Sequence, residues 1–376
     1  MRFTVFTHVA HVKHNDKLYA YRPYVTEMNI WFKYFDEIRV VAPLSKAHFT
    51  AIDAPYEHAN ITFVELKAFD FTSWANLLAA LFFLPFNLFI IAREFQKKAH
   101  FHLRCPGNIG FLACIIQVFF PRKQKTAKYA GNWDPNSNQP KSYQWQRAIL
   151  NSTFWSKNMR VLVYGDWPDN STNIQPFFTA TYSEQELHET TAKRDESSVV
   201  FAFVGGITAG KNPFYALELI ENLHQQGLNC RLHFYGSGDL ENALKQRISE
   251  KQLSFCKFFG AVSKEDLKAA YQKSYFMILP SQSEGWPKAV AEAMFWGCIP
   301  VITPVSCVPQ MLDFGKRGIL LTGDVIRDSE QLITLLQSGE MAAMSKAAQQ
   351  WSISYTLESF ENAIKAVIHH ANITIN

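Results

Sequence analysis

The sequence predicts an α/β protein of two doubly wound parallel-sheet domains, and three observations carry that prediction. At 376 residues the chain is longer than one ordinary core needs and suits two domains. Short β-branched or aromatic runs alternate with longer helix-period stretches along most of it, the pattern of parallel strands joined by crossover helices. Several runs in the second half end on glycine or proline, at Val204-Gly205-Gly206, Tyr235-Gly236-Ser237-Gly238, Phe259-Gly260 and Leu279-Pro280-Ser281. Open α/β sheets bind ligands where such strand ends turn into helices.

In the first half, strands are expected over 3–7, 38–42, 61–66, 101–103, 126–129 and 160–164. From 165 to 198 the alternation lapses into turn residues and then a polar run, which reads as a linker. This gives an N-terminal domain over 1–195, a second domain over 196–355 and a final amphipathic helix within 356–376. In the second domain, strands are expected over 199–204, 231–235, 256–259, 276–279 and 300–302. Helices are expected over 212–226, 240–249, 264–272 and 287–296.

Composition narrows the function classes. Hydrophobic residues are 48% and charged residues 19%, the balance of a folded globular chain. Lys and Arg exceed Asp and Glu only by 37 to 33, and a nucleic-acid partner normally needs a concentrated basic face. The six cysteines form no C-x-x-C pair and sit mostly in apolar runs, as reduced core residues do. The first residues read as a strand rather than a secretory leader, so a cytoplasmic protein is expected. The apolar segment 77–92 is shorter than the ~20 residues of a spanning helix and is interrupted by Pro85 and Asn87. Two readings stand for it. One is a helix buried against a sheet. The other is a helix that also dips into a membrane interface, helped by Arg122, Lys123, Lys125 and Lys128, with peripheral contact at the inner membrane.

The chemistry concentrates in Glu284-Gly285-Trp286-Pro287-Lys288, which leads into a helix that Gly297 closes. The first backbone amides of such a helix lack intrahelical partners, and with the helix dipole they attract phosphate. Gly285 permits close backbone approach, and Lys288 adds charge. Glu284 precedes this anion site and Glu292 stands in the second helical turn. Carboxylates aimed at a phosphate would repel it, whereas carboxylates to either side suit hydroxyl-rich groups. A nucleoside-diphosphate sugar has that layout, with ribose, diphosphate and sugar in line. Upstream, Gly205-Gly206-Ile207-Thr208-Ala209-Gly210-Lys211 is a flexible strand-to-helix loop suited to a second grip on the diphosphate.

Together these pieces resemble the retaining nucleotide-sugar glycosyltransferases of family 4, in the glycosyl transferases group 1 class. The resemblance covers about residues 199–325 and rests on Phe203-Val204-Gly205 with Lys211, Gly236-Ser237-Gly238, Phe259-Gly260, Pro280-Ser281, the E-x7-E pair Glu284/Glu292 with Ala293-Met294, and Gly297-Cys298-Ile299-Pro300. It implies the GT-B fold, with two Rossmann-like domains facing a central cleft and the last helix returning to the N-terminal domain. It also implies that Lys211 holds the diphosphate, Glu284 the donor sugar and Glu292 the nucleotide ribose. On this likeness Glu284 and Lys211 are the catalytic candidates, and Gly205, Gly206, Gly236, Gly285, Trp286, Pro287 and Lys288 complete the donor site.

Two departures stand out. Gly206 replaces an arginine common in the family, and Gln310 follows Pro309 where a glutamate is frequent. No histidine follows the strand at 126–129, and three acceptor-side candidates remain open: His8, Arg104 and Asn132. No D-x-D motif precedes the site, so no metal and no cofactor are expected beyond a UDP- or GDP-sugar donor. The expected partners are that donor and a glycan or lipid-linked acceptor, in bacterial surface-polysaccharide synthesis. A GT-B epimerase and a non-catalytic sugar-nucleotide-binding subunit are the alternatives.

Overall fold

A computed structural model describes the chain apart from residues 46, 51, 70–73, 189–193, 195–196 and 374–376. It divides into two compact units, Met1–Phe177 with Glu361–Asn376, and Phe178–Phe360. The division falls inside the 165–198 stretch that the sequence marks as a linker.

The first unit contains β1 (Arg2–Phe6), β2 (Val12–His14), β3 (Lys17–Tyr21), α1 (Arg22–Phe32), β4 (Glu37–Pro43), β5 (Asp53–Pro55), β6 (Ile61–Leu66) and α2 (Trp74–Gln96). It continues with β7 (His100–Cys105), α3 (Asn108–Ile116), β8 (Lys125–Tyr129), α4 (Lys141–Leu150), β9 (Met159–Tyr164) and β10 (Ile174–Phe177). Seven of these strands form a parallel sheet in the order β10-β9-β8-β7-β1-β4-β6. β10 lies inside the stretch taken from sequence as linker. It is a short edge strand pairing only with β9, so its four residues carry too little periodicity to stand out.

On one sheet face, Ile91 and Phe95 of α2, Leu112 and Cys114 of α3 and Leu150 of α4 share a core with Phe101, Leu103, Ala127 and Val161. The six cysteines are free thiols. β2, β3 and β5 make a small antiparallel sheet that the sequence reading omits.

Lys125 and Lys128 do not join a membrane-facing basic cluster, which corrects that expectation. β8 lies between β7 and β9 and is buried throughout. The Lys125 ammonium donates to the carbonyls of Phe120 (2.9 Å) and Gln117 (3.3 Å), and Lys128 pairs with buried Glu27 at 3.0 Å. Burial lowers the Lys125 pKa to about 8. No helix among the described residues is long and apolar enough to cross a membrane. Side chains 77–81 of the apolar segment lie outside the described set.

The second unit contains β11 (Val199–Val204), α5 (Pro213–Gln225), β12 (Cys230–Tyr235), α6 (Glu241–Glu250), β13 (Cys256–Gly260), α7 (Lys264–Lys273) and β14 (Phe276–Leu279). Then come α8 (Lys288–Phe295), β15 (Ile299–Ile302), α9 (Val308–Met311), β16 (Ile319–Leu320), α10 (Val325–Ser338) and α11 (Met341–Ser352). The last helix, α12 (Leu357–Ile373), begins in this unit, and its residues from Glu361 belong to the first. Its Glu361 accepts from Lys33 at 2.9 Å and from the Tyr34 hydroxyl. The six-stranded sheet is parallel, in the order β13-β12-β11-β14-β15-β16. The chain builds outward from β11 to β13, then returns to lay β14 on the other side of β11. The strand order therefore reverses between β11 and β14, and the loops after those two strands emerge side by side.

Candidate active site

That reversal brings the sequence-predicted donor residues together. The loop after β11 carries Gly205 to Lys211, and the loop after β14 carries Pro280 to Pro287. Gln282 donates its amide to the Gly210 carbonyl at 2.9 Å, fastening one loop to the other. Lys211 then forms an ion pair with Glu284, whose side chain is only 8% exposed. Residues 73 apart in sequence thus meet at the carboxyl edge of the sheet, where open α/β proteins bind ligands.

Glycines make this edge narrow. Gly236 has φ +132°, and a Cβ there would lie 2.0 Å from the Gly205 carbonyl oxygen. A Cβ on Gly238 would lie 2.3 Å from the Ile207 carbonyl oxygen. The two loops are laced by Gly205 donating to Tyr235 and Ile207 donating to Ser237, both at 3.0 Å. Gly206 has more room, its nearest neighbour being the Thr208 methyl at 3.4 Å from a built Cβ. The sheet edge thus tolerates a side chain at 206 and rejects one at 236 or 238.

Pro287 caps α8 with φ −74° and ψ 87°, so the helix begins at Lys288, one residue later than expected. The helical ladder starts with Val290 donating to Pro287 at 3.0 Å. The Gly285 carbonyl accepts from the Ser306 hydroxyl at 3.1 Å, holding the turn from outside. The Trp286 ring packs at 5.3 Å from Tyr355 and 5.9 Å from Trp351, which anchors the loop preceding the helix.

Glu292 lies farther along α8 and is held from two sides. Its carboxylate accepts from the Thr181 hydroxyl at 2.8 Å and from the Tyr271 hydroxyl at 3.2 Å. Burial and the Glu292 charge hold the Tyr271 pKa well above its ordinary value, keeping it a neutral donor. Glu292, Lys288, Thr179, Tyr182, Ser352 and Tyr355 line a pocket beside α8. Thr181 and Tyr271 are additions to the sequence-predicted set. No local motif marks them, because both act through the tertiary packing of α8.

The acceptor-side candidates belong to the first unit, whose strand order also reverses, between β1 and β7. His8 follows β1, and its imidazole closes over Gly107 after β7, so that a Cβ on Gly107 would lie 2.4 Å from His8 Nδ1. Burial and the nearby Arg104 charge lower the His8 pKa, favouring the neutral ring. Arg104 pairs with Glu27 and lies over the Tyr24 ring at 5.3 Å, and Glu27 also takes Lys128. Asn132 accepts from the Asp134 amide at 2.9 Å and shapes its own turn.

Comparison with solved structures places this architecture in a known class. The chain resembles the lipopolysaccharide outer core galactosyltransferase WaaB (TM-score 0.69, 12% identity, covering 98% of this chain and 99% of that one). It also resembles sucrose-phosphate synthase from Thermosynechococcus elongatus (TM-score 0.67, 12% identity, 99% of each chain). At this identity the likeness establishes the fold, GT-B with its two parallel-sheet α/β domains. Residues 184–351 match the family model described as glycosyl transferases group 1.

Among curated relatives, the amylovoran biosynthesis glycosyltransferase of Erwinia amylovora is 29% identical over 144 residues, 36% of this chain and 35% of the relative. A putative colanic acid biosynthesis glycosyltransferase of Escherichia coli K12 is 28% identical over 158 residues, 39% of each. The chain thus spans little more than a third of the length of these relatives.

Proposed function

We propose that the chain is a glycosyltransferase that moves a sugar from a UDP- or GDP-sugar to a glycan or lipid-linked acceptor in bacterial surface-polysaccharide synthesis. The observation that carries this reading is the meeting of Lys211 and Glu284 at the β11/β14 reversal, directly ahead of the start of α8. In the proposed complex the donor diphosphate rests on Lys211 and the positive end of α8, and the sugar hydroxyls take Glu284. The ribose hydroxyls take Glu292, oriented by Thr181 and Tyr271.

The bond from the anomeric carbon to the diphosphate oxygen breaks as the acceptor oxygen bonds to the same face. The acceptor proton passes to the departing diphosphate, and configuration is retained. Lys211 and the helix start stabilise the charge that develops on that leaving group, so the reaction needs neither metal nor cofactor. The polysaccharide-synthesis names of the relatives support the acceptor class, and six free thiols support a reducing, cytoplasmic setting.

The test is to incubate the full chain with a panel of UDP- and GDP-sugars and follow nucleotide release with and without glycan or lipid-linked acceptors. Release that depends on an acceptor is the expected result. Tight nucleotide-sugar binding with no release under any acceptor would instead identify a binding subunit. Interconversion of the sugar nucleotide without acceptor would identify an epimerase.

A further inference from the structure

The helical layer formed by α2, α3 and α4 has an inner side that supplies the first unit's core and an outer side of unusual composition. On α2, Phe82, Phe86 and Phe89 recur at helical spacing along one exposed stripe, from 46% exposed at Phe86 to 78% at Phe82. Phe119 follows α3 and is 74% exposed, and Phe154 and Trp155 follow α4 at 78% and 50%. The segments that follow α2, α3 and α4 meet at one end of the layer. Gln117 donates to the Trp155 carbonyl and Asn158 to the Pro121 carbonyl, each at 2.9 Å, and Lys123 reaches the Lys97 carbonyl at 2.8 Å.

Charge on the same stretch is one-sided. Between Glu94 and Asp166 the sequence has one acidic residue, Asp134, against eleven Lys and Arg. Arg104, Lys125 and Lys128 of these are buried, whereas Lys98, Arg122, Lys141 and Lys157 are exposed. The chain as a whole is nearly balanced, so this stretch is where its positive excess gathers.

We infer that this face is a docking surface for a lipid bilayer carrying anionic headgroups. The aromatic rings project from separate segments with basic side chains among them. That arrangement suits an interface in which rings enter the headgroup region and cations meet lipid phosphates. The charge excess selects this occupant over a neutral apolar partner, since each basic residue near an anionic surface raises partitioning by about fivefold. The surface needs no spanning segment, and the inference does not rest on the transferase reading.

The experiment is flotation of the full chain with vesicles of phosphatidylethanolamine and phosphatidylglycerol, and separately with phosphatidylcholine vesicles, over a range of salt. The chain is expected to float with the anionic vesicles, to stay behind with phosphatidylcholine, and to be released by salt. A Phe119→Ser/Phe154→Ser/Trp155→Ser variant and an Arg122→Glu/Lys157→Glu variant should each partition at least about tenfold less, with the melting midpoint checked for both. The wild-type salt titration stands even where a variant fails to fold. No flotation with anionic vesicles, or equal flotation with phosphatidylcholine, overturns the proposal. So does lipid-free self-association of the wild type that the aromatic variant abolishes, because the surface would then be an interface between copies of this chain.

Discussion

Lys211 and Glu284 are in direct contact and sit where two loops of the second sheet emerge together, so each is placed by backbone that the other's loop helps hold. Under the proposed mechanism, Lys211→Ala or Glu284→Gln should lower transfer at least ~10²-fold, the scale of losing a charged contact to the reacting groups. Steady-state rates with saturating donor check this, and near-normal turnover in both variants would remove them from the reaction. Glu292 calls for a different readout, because it lies along α8 from the proposed diphosphate seat. Glu292→Gln should weaken nucleotide binding about tenfold, the loss of a charge-assisted hydrogen bond. Tyr271→Phe, which withdraws one of its two hydroxyl partners, should raise the donor KM with little change in kcat. Calorimetric titration with the nucleotide separates these from a folding defect.

At the scale of elements, the second unit was largely legible. Val199–Val204 and Phe276–Leu279 appear with the expected bounds, because buried parallel strands are short apolar runs punctuated by glycine or proline. The E-x7-E pair was legible as a motif. Its geometry was not, since contact between Lys211 and Glu284 depends on the β11/β14 reversal and not on sequence spacing. In the first unit, the β2–β3 hairpin turns through Asn15 and Asp16, both with positive φ (45° and 59°). Asn-Asp between alternating residues is a hairpin signal, but three- and five-residue strands left little pattern beside it. Lys125 and Lys128 were misread because lysine usually marks a surface, and only the pairing of β8 on both sides reveals their burial. The glycine loops yield a prediction. Gly236→Ala would drive its Cβ into the Gly205 carbonyl, so the variant should lose about 1–3 kcal/mol of stability together with donor affinity. A melting curve with unchanged midpoint would mean that the two loops can part freely.

The whole molecule carries several imidazoles held neutral by burial. In the first unit His11 and His100 have their pKa lowered to about 4, and His102 is lowered well below its usual value. In the second unit His233 is lowered to about 4. The unfolded chain binds protons at these positions below about pH 6.5, and the folded chain resists them well below that, to about 4 at His11, His100 and His233. Stability should therefore fall as pH drops through that window, with the first unit more affected because it holds more such groups. Hydrogen exchange followed from pH 7 to 4.5 should show amides of the first unit losing protection before those of the second. The reverse order would assign acid sensitivity to other groups.

The Lys211–Glu284 contact has a consequence for selectivity on the proposed reading. A cation that already has its own counter-charge is a poor trap for stray phosphate or carboxylate, because an incoming anion must first displace a neighbour held close by. Losing the lysine leaves that glutamate in want of hydroxyl donors. A sugar nucleotide brings both halves of the exchange in one molecule, whereas a bare nucleoside diphosphate satisfies the lysine and strands the acid. On that reading the seat would act as a two-key lock that favours the intact donor over the spent nucleotide, easing departure of the product once the sugar has been passed on.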